Sequence, residues 1–198
     1  MIKKLNLKKL QQDFQNDYEQ DQAKKKAIAE QSVKRFKYEY NRFNFSQSKR
    51  KEMILIGSIG ELMFQQFLEI NNVKYDFEFQ AGQYDDMDFQ IGYDKIEIKT
   101  SAYADSYKHL NLLYSQSQFT VAKVKNFKYC VQIFVNGLCQ KTKKIKYRDI
   151  NSAHIVGYMS FRDMENYKQT PKWHGDDYKI PLKDLKNIEF FTKRPKMY

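Results

Sequence analysis

Two spacings of apolar residues divide the chain. Residues 2–43 contain neither Gly nor Pro and are rich in Lys, Gln, Glu and Ala, a composition compatible with helix. Leu7, Leu10 and Phe14 form one apolar stripe there, and Ile28, Val33, Phe36, Tyr40 and Phe43 form another, with a polar break at 16–26. Asn44-Phe45-Ser46 reads as the entry to the next helix, with Ser46 as its N-cap. In that helix, 54–70, Gly57, Gly60, Glu61, Phe64 and Leu68 fall at i, i+3, i+4, i+7 and i+11, one stripe turned toward a partner. Each glycine costs about 1 kcal/mol against alanine in a helix. The expected return is close approach of the helix backbone to a sheet, which would bring Glu61 with it.

The spacing then changes to two. Residues 74–79 predict a strand and 80–83 a turn, after which Met87, Phe89 and Ile91 share one face while Asp86, Asp88 and Gln90 share the other. Beyond the turn Gly92-Tyr93-Asp94-Lys95, Ile96 and Ile98 point inward and Glu97 and Lys99 point the opposite way. Residues 74–100 therefore predict a three-stranded antiparallel meander packed on the helix that carries Glu61. Downstream, 101–109 loses periodicity, 110–114 predicts a short strand, and 115–125 a helix containing Gln116 and Gln118. The nearly continuous apolar run 127–135 predicts a strand buried on both faces, closed by the turn Asn136-Gly137. A further strand over 153–161, a short helix over 162–167, and a closing strand and helix around Ile180-Pro181-Leu182 and Leu185 complete the expected α/β arrangement, an α+β mixed sheet.

Like charges facing each other across a sheet destabilise it, so the acidic faces of the two hairpin strands need open solvent or a bridging cation. A hard divalent ion with oxygen ligands suits them. Charge along the chain sharpens this picture. The net is +11, with a sequence pI near 9.4, which favours polyanionic partners. Yet residues 1–51 carry a net +8, 52–100 a net −7, 101–150 a net +7 and 151–198 a net +3. An acidic island inside a basic protein fits a cation site that must also hold a phosphate backbone.

The order of these residues, G-x-x-G-E on a helix, D-x-D on a strand and E-x-K after a short turn, resembles the PD-(D/E)XK nuclease superfamily. The likeness is carried by Glu61, by Asp88-Phe89 and by Glu97-Ile98-Lys99-Thr100-Ser101, about a quarter of the chain. It implies a restriction endonuclease-like αβββαβ core over 46–198, preceded by a helical arm over 1–45. It also implies a requirement for Mg²⁺, with Mn²⁺ as a substitute, and hydrolysis of DNA phosphodiesters. Asp88 and Glu97 would be metal ligands, Lys99 would orient the attacking water, and Glu61 would assist through water or a second ion. No proline precedes the aspartate, and Asp86 lies in phase with Asp88, so Asp86 stands as the alternative ligand. Some superfamily members also place a glutamine after the E-x-K strand, the position of Gln116 and Gln118.

The densest basic run, 141–148, carries Lys141, Lys143, Lys144, Lys146 and Arg148, interleaved with Ile145 and Tyr147. As a strand it would present a basic row, either a phosphate-contacting surface or an edge charged against aggregation. The basic arm likewise reads as a solvated amphipathic helix pair, as a DNA grip or as the contact of a homodimer. Cys130 and Cys139, nine positions apart, read as a buried thiol and a loop thiol. His109, His154 and His174 form no ligand motif. No apolar run approaches the roughly 18 residues of a membrane helix, and no signal-peptide core opens the chain, so a cytoplasmic location is expected. The expected activity is that of a Mg²⁺-dependent DNA endonuclease; the rival is a catalytically inactive nucleic-acid-binding protein on the same fold.

Overall fold

The computed structural model describes residues 47–77, 88–142, 145, 150, 152–168 and 178–193, with side chains in the first helix from Ile56 onward except Ser58. The expected helical arm, Asp86, Met87 and the basic positions Lys143, Lys144, Lys146 and Arg148 lie outside the described residues, as does Ser46. The first described element is helix α1, Gln47–Ile70. Its buried residues, Ile56, Ile59, Met63, Phe64, Phe67 and Leu68, recur every three to four positions and define one apolar face. The helix ends because Asn72 takes a left-handed conformation, φ 52°. This lets Val73 N donate to Leu68 O at 2.9 Å and Asn72 N to Glu69 O at 3.0 Å, a Schellman closure that satisfies two terminal carbonyls.

Strands β1, Phe89–Ile91, and β2, Asp94–Ala102, form an antiparallel hairpin with Phe89 opposite Ile96 and Ile91 opposite Asp94. The connection is thus the two residues Gly92 and Tyr93, tighter than the four expected, and Gly92 supplies the φ of 62° that such a turn needs. Of the third strand of the meander, the structure shows a single antiparallel bridge, Asp76 to Gln90, made by two 2.8 Å backbone bonds. The chain continues through β3, Asn111–Tyr114, and helix α2, Gln116–Val124, to β4, Phe127–Val135. Ser115 starts α2 with a capping box, its hydroxyl accepting from Gln118 N while the Gln118 side chain reaches back to Ser115 N.

Helix α2 is the crossover that allows β4 to lie parallel to β2, with Glu97 beside Cys130 and Lys99 beside Gln132. β5, Ala153–Ser160, pairs antiparallel with β4 on its other side, giving a mixed four-stranded sheet in the order β1-β2-β4-β5. A short helix α3, Phe161–Met164, and a 3-10 turn, Glu165–Tyr167, follow as the pattern predicts. β3 leaves the main sheet to pair with β6, Tyr178–Pro181, in a second, two-stranded sheet.

The main sheet is buried on both faces. Alternate residues Ile96 and Ile98 of β2, Val131, Ile133 and Val135 of β4, and Ile155 of β5 pack with α1. Cys130 and Met159 pack on the other face with Leu112, Tyr114, Phe119, Phe161, Tyr178 and Ile180. The run 127–135 is apolar on both faces, apart from Lys128 and Gln132, because each face has its own core.

The two glycines of α1 are not equivalent. A Cβ at Gly60 would stand 1.8 Å from Thr100 Oγ1, so this glycine lets the helix lie against β2 as expected. Among the described residues a Cβ at Gly57 would meet nothing within 4 Å, and the close-approach reading is corrected there. Opposite signs are therefore expected from one substitution type. Gly60→Ala should destabilise by roughly 1–3 kcal/mol through overpacking, and Gly57→Ala should stabilise by about 1 kcal/mol through helix propensity. Urea midpoints of the two variants check both.

The turn formed by Gln140, Lys141 and Thr142 replaces the start of the expected basic strand, with Lys141 exposed. Ile145, the remaining described residue of that run, bridges back to Leu138. Among the described residues no helix is long and apolar enough to cross a membrane.

Candidate functional site

Strand alternation creates the site. With Ile96 and Ile98 committed to the α1 core, Glu97 and Lys99 must project from the opposite face of β2. The β1–β2 register, extended by one residue beyond Phe89, sets Asp88 opposite Glu97. Asp88 lies just before the strand, where its Oδ2 accepts the Ile98 backbone N–H at 2.6 Å. That bond fixes the carboxyl at the end of the ladder, within electrostatic reach of its neighbours.

Burial, then the Glu61 carboxylate, then the Glu97 carboxylate push the Asp88 carboxyl well above the usual range, while the Ile98 N–H and the Lys99 ammonium pull it back. All four residues named by the pattern thus act on one point. Glu61 comes from α1 beside Gly60, the position where the helix meets Thr100. Glu97 and Lys99 are both about four-fifths buried, and Lys99 Nζ stands 3.5 Å from Glu97 Oε1. Among the described residues, no three His, Cys, Asp or Glu side chains converge as a ready metal cage. The donor set is nevertheless composed of hard carboxylate oxygens whose mutual repulsion a divalent cation would relieve.

Tyr114, which the sequence marked only as the end of a short strand, is part of the same cluster. Its hydroxyl donates to Glu97 Oε2, and Lys99 Nζ lies 4.7 Å above its ring. One buried side chain therefore contacts both members of the E-x-K pair, through a hydrogen bond to a charge and a cation–π contact. Burial and the Glu97 charge raise the Tyr114 hydroxyl far beyond the ordinary phenol range, so it remains a donor at all working pH values. The same two causes raise the Cys130 thiol and keep it neutral. Nothing in the sequence ties Tyr114 to Glu97; its place beside Ser115, at the head of a capping box, was the one local signal that its strand ends abruptly. Tyr114→Phe keeps the ring and removes the donor, and is expected to cost about 1–3 kcal/mol of stability, the range for a hydrogen bond to a charged group. Urea unfolding checks it.

Gln116 and Gln118 are used elsewhere. Gln118 closes the α2 cap, and Gln116 Oε1 accepts from the Tyr178 hydroxyl at 3.1 Å. Cys130 is buried and Cys139 exposed, as expected. No family model, no curated protein and no solved structure matches the chain.

Proposed function

We propose that the protein is a divalent-cation-dependent DNA endonuclease that works through Asp88, Glu97 and Lys99, with Glu61 assisting. The observation that carries this reading is the placing of Asp88 opposite Glu97 at the end of the β1–β2 ladder, with Lys99 Nζ 3.5 Å from Glu97 Oε1 and Glu61 raising the Asp88 carboxyl from α1. An arrangement so unfavourable to its own fold is characteristic of sites kept for chemistry. The topology supplies part of an αβββαβ core: a helix, a hairpin whose second strand bears E-x-K, a helical crossover and a parallel strand follow in order, with the remaining meander strand represented among the described residues by the bridge of Asp76 to Gln90. The restriction endonuclease-like assignment belongs to this proposal.

Asp88 and Glu97 would hold Mg²⁺, with Glu61 as an outer or third carboxylate. When bound there, the cation supplies Lewis acidity toward a phosphodiester and a water. Lys99, oriented by Glu97 and by the Tyr114 ring, is a fixed positive charge for the negative charge that builds on the phosphoryl oxygens. Tyr114 holds Glu97 in one rotamer, as outer partners of metal ligands do. The excess of basic residues outside 52–100 supplies sequence-independent attraction to the DNA backbone.

Supercoiled plasmid, linear duplex, single strands and four-way junctions digested in parallel with Mg²⁺ or Mn²⁺ test the proposal. Cleavage of at least one form is expected, and it should stop with EDTA. A protein that cuts none of them and binds neither ion is instead the silent nucleic-acid-binding module.

A further inference from the structure

Among the described residues, Gln132 is the one polar side chain in the fully buried set. It sits in the middle of β4, on the Cys130 face of the sheet, since Val131 and Ile133 on either side belong to the α1 core. Its Nε2 donates to Ile133 O at 2.8 Å, and because that carbonyl can only accept, the orientation of the amide is fixed. Its Oε1 is buried with no hydrogen-bond partner. An orphaned buried acceptor forfeits the hydrogen bonds it had with water, a cost that a partner acquired at work would recover.

The neighbours in the same row of the sheet are Lys99 of β2 on one side and Gly157 of β5 on the other. No side chain can stand at Gly157, where a Cβ would lie 2.6 Å from Lys186 O and 2.9 Å from Leu185 Cβ. The β4–β5 register also slips there, with Gln132 opposite Gly157 but Ile133 opposite Ile155. Such a bulge re-aims side chains. The row thus leaves Lys99 as the donor beside the amide oxygen. Its ammonium has three protons, and the contacts it makes are Glu97 Oε1 at 3.5 Å and the Tyr114 ring.

We infer that Gln132 is a positioning residue for the proposed endonuclease reaction: its Oε1 accepts from the Lys99 ammonium and holds it toward the phosphate when Glu97 turns its charge to the cation. The inference rests on the endonuclease reading for its role, but the Lys99–Gln132 contact can be measured without it.

A double-mutant cycle of Gln132→Met, Lys99→Met and the pair, in the full chain, reads both. Gln132→Met is expected to lower kcat about tenfold with KM unchanged, the scale for a residue that orients a reacting group, and to add nothing in the Lys99→Met background. In urea unfolding with saturating Ca²⁺, the two substitutions are expected to be coupled by about threefold or more in the unfolding constant. Gln132→Glu, which keeps an acceptor at the same reach, is expected to restore most of the lost kcat, and Gln132→Leu takes the place of Gln132→Met in the cycle if that variant does not fold. Additive effects in unfolding, or a kcat loss that persists in the Lys99→Met background, overturn the inference. If the unaltered protein cleaves nothing while the unfolding cycle shows coupling, the endonuclease reading fails and the contact stands.

Discussion

Glu97→Gln, Asp88→Asn and Lys99→Ala are each expected to lower Mg²⁺-dependent cleavage by about 10²–10³-fold or more, the cost of removing one preorganised electrostatic group. The three losses should have different causes. Either carboxylate change removes a cation ligand and also lessens repulsion against the phosphate backbone, so duplex binding should hold or tighten. Lys99→Ala removes a group that cannot ligate a cation, so Mn²⁺ binding should remain near wild type although cleavage stops. Titration with Mn²⁺ beside single-turnover cleavage separates the two classes. Equal loss of ion binding in all three variants would place Lys99 in a structural role through Glu97.

Asp88→Asn should also stabilise the fold at neutral pH, in spite of its effect on cleavage. The asparagine keeps an oxygen for the Ile98 N–H and loses the charge that burial, Glu61 and Glu97 all oppose. The sign follows from proton linkage. The folded-state pKa of Asp88 lies above its unfolded value, so between the two the folded protein binds more protons and stability falls as pH rises. The penalty is complete above the folded pKa and absent below the ordinary carboxylate value of about 4. The stability gain of Asp88→Asn should therefore be greatest at neutral pH and vanish in acid, which urea midpoints measured across that range would show. Ca²⁺, by binding the native site, should raise the unfolding free energy of the wild-type protein by up to about 2.7 kcal/mol at a hundred times its Kd and leave that of Asp88→Asn nearly unmoved. A gain of the same size at every pH would mean that the Asp88 charge is not what strains the site.

What could be read from sequence was what is written locally. β4 follows from one apolar run and has the expected extent, and α2, expected over 115–125, runs Gln116–Val124. The acidic cluster was legible too, because period-two alternation forces Glu97 and Lys99 onto one face once Ile96 and Ile98 are given to the core. Pairing between distant segments was not. β3 reads as any short strand, and its departure to β6, nearly 70 residues on, depends on packing that no periodicity records. Tyr114 was missed for the same reason, since its link to Glu97 exists only after that departure. Gly57 and Gly60 look alike in sequence and differ in what lies opposite them. Gln132 had a readable signal, a lone amide inside the run Phe127–Val135, where an uncompensated polar group is costly.

The parallel pairing of β2 with β4 also governs the order in which the site can be made. As the chain emerges from the ribosome, α1 and the β1–β2 hairpin are complete well before Phe127–Val135 has been synthesised. During that interval β2 is an edge strand, with its backbone groups unpaired on the side that β4 will take. Neither Tyr114 nor the β4 row can yet fix Glu97 and Lys99. A nascent chain stopped before β4 would carry every residue of the acidic motif but, of its order, only the Asp88–Ile98 bond of the hairpin, and would present an open strand to its neighbours.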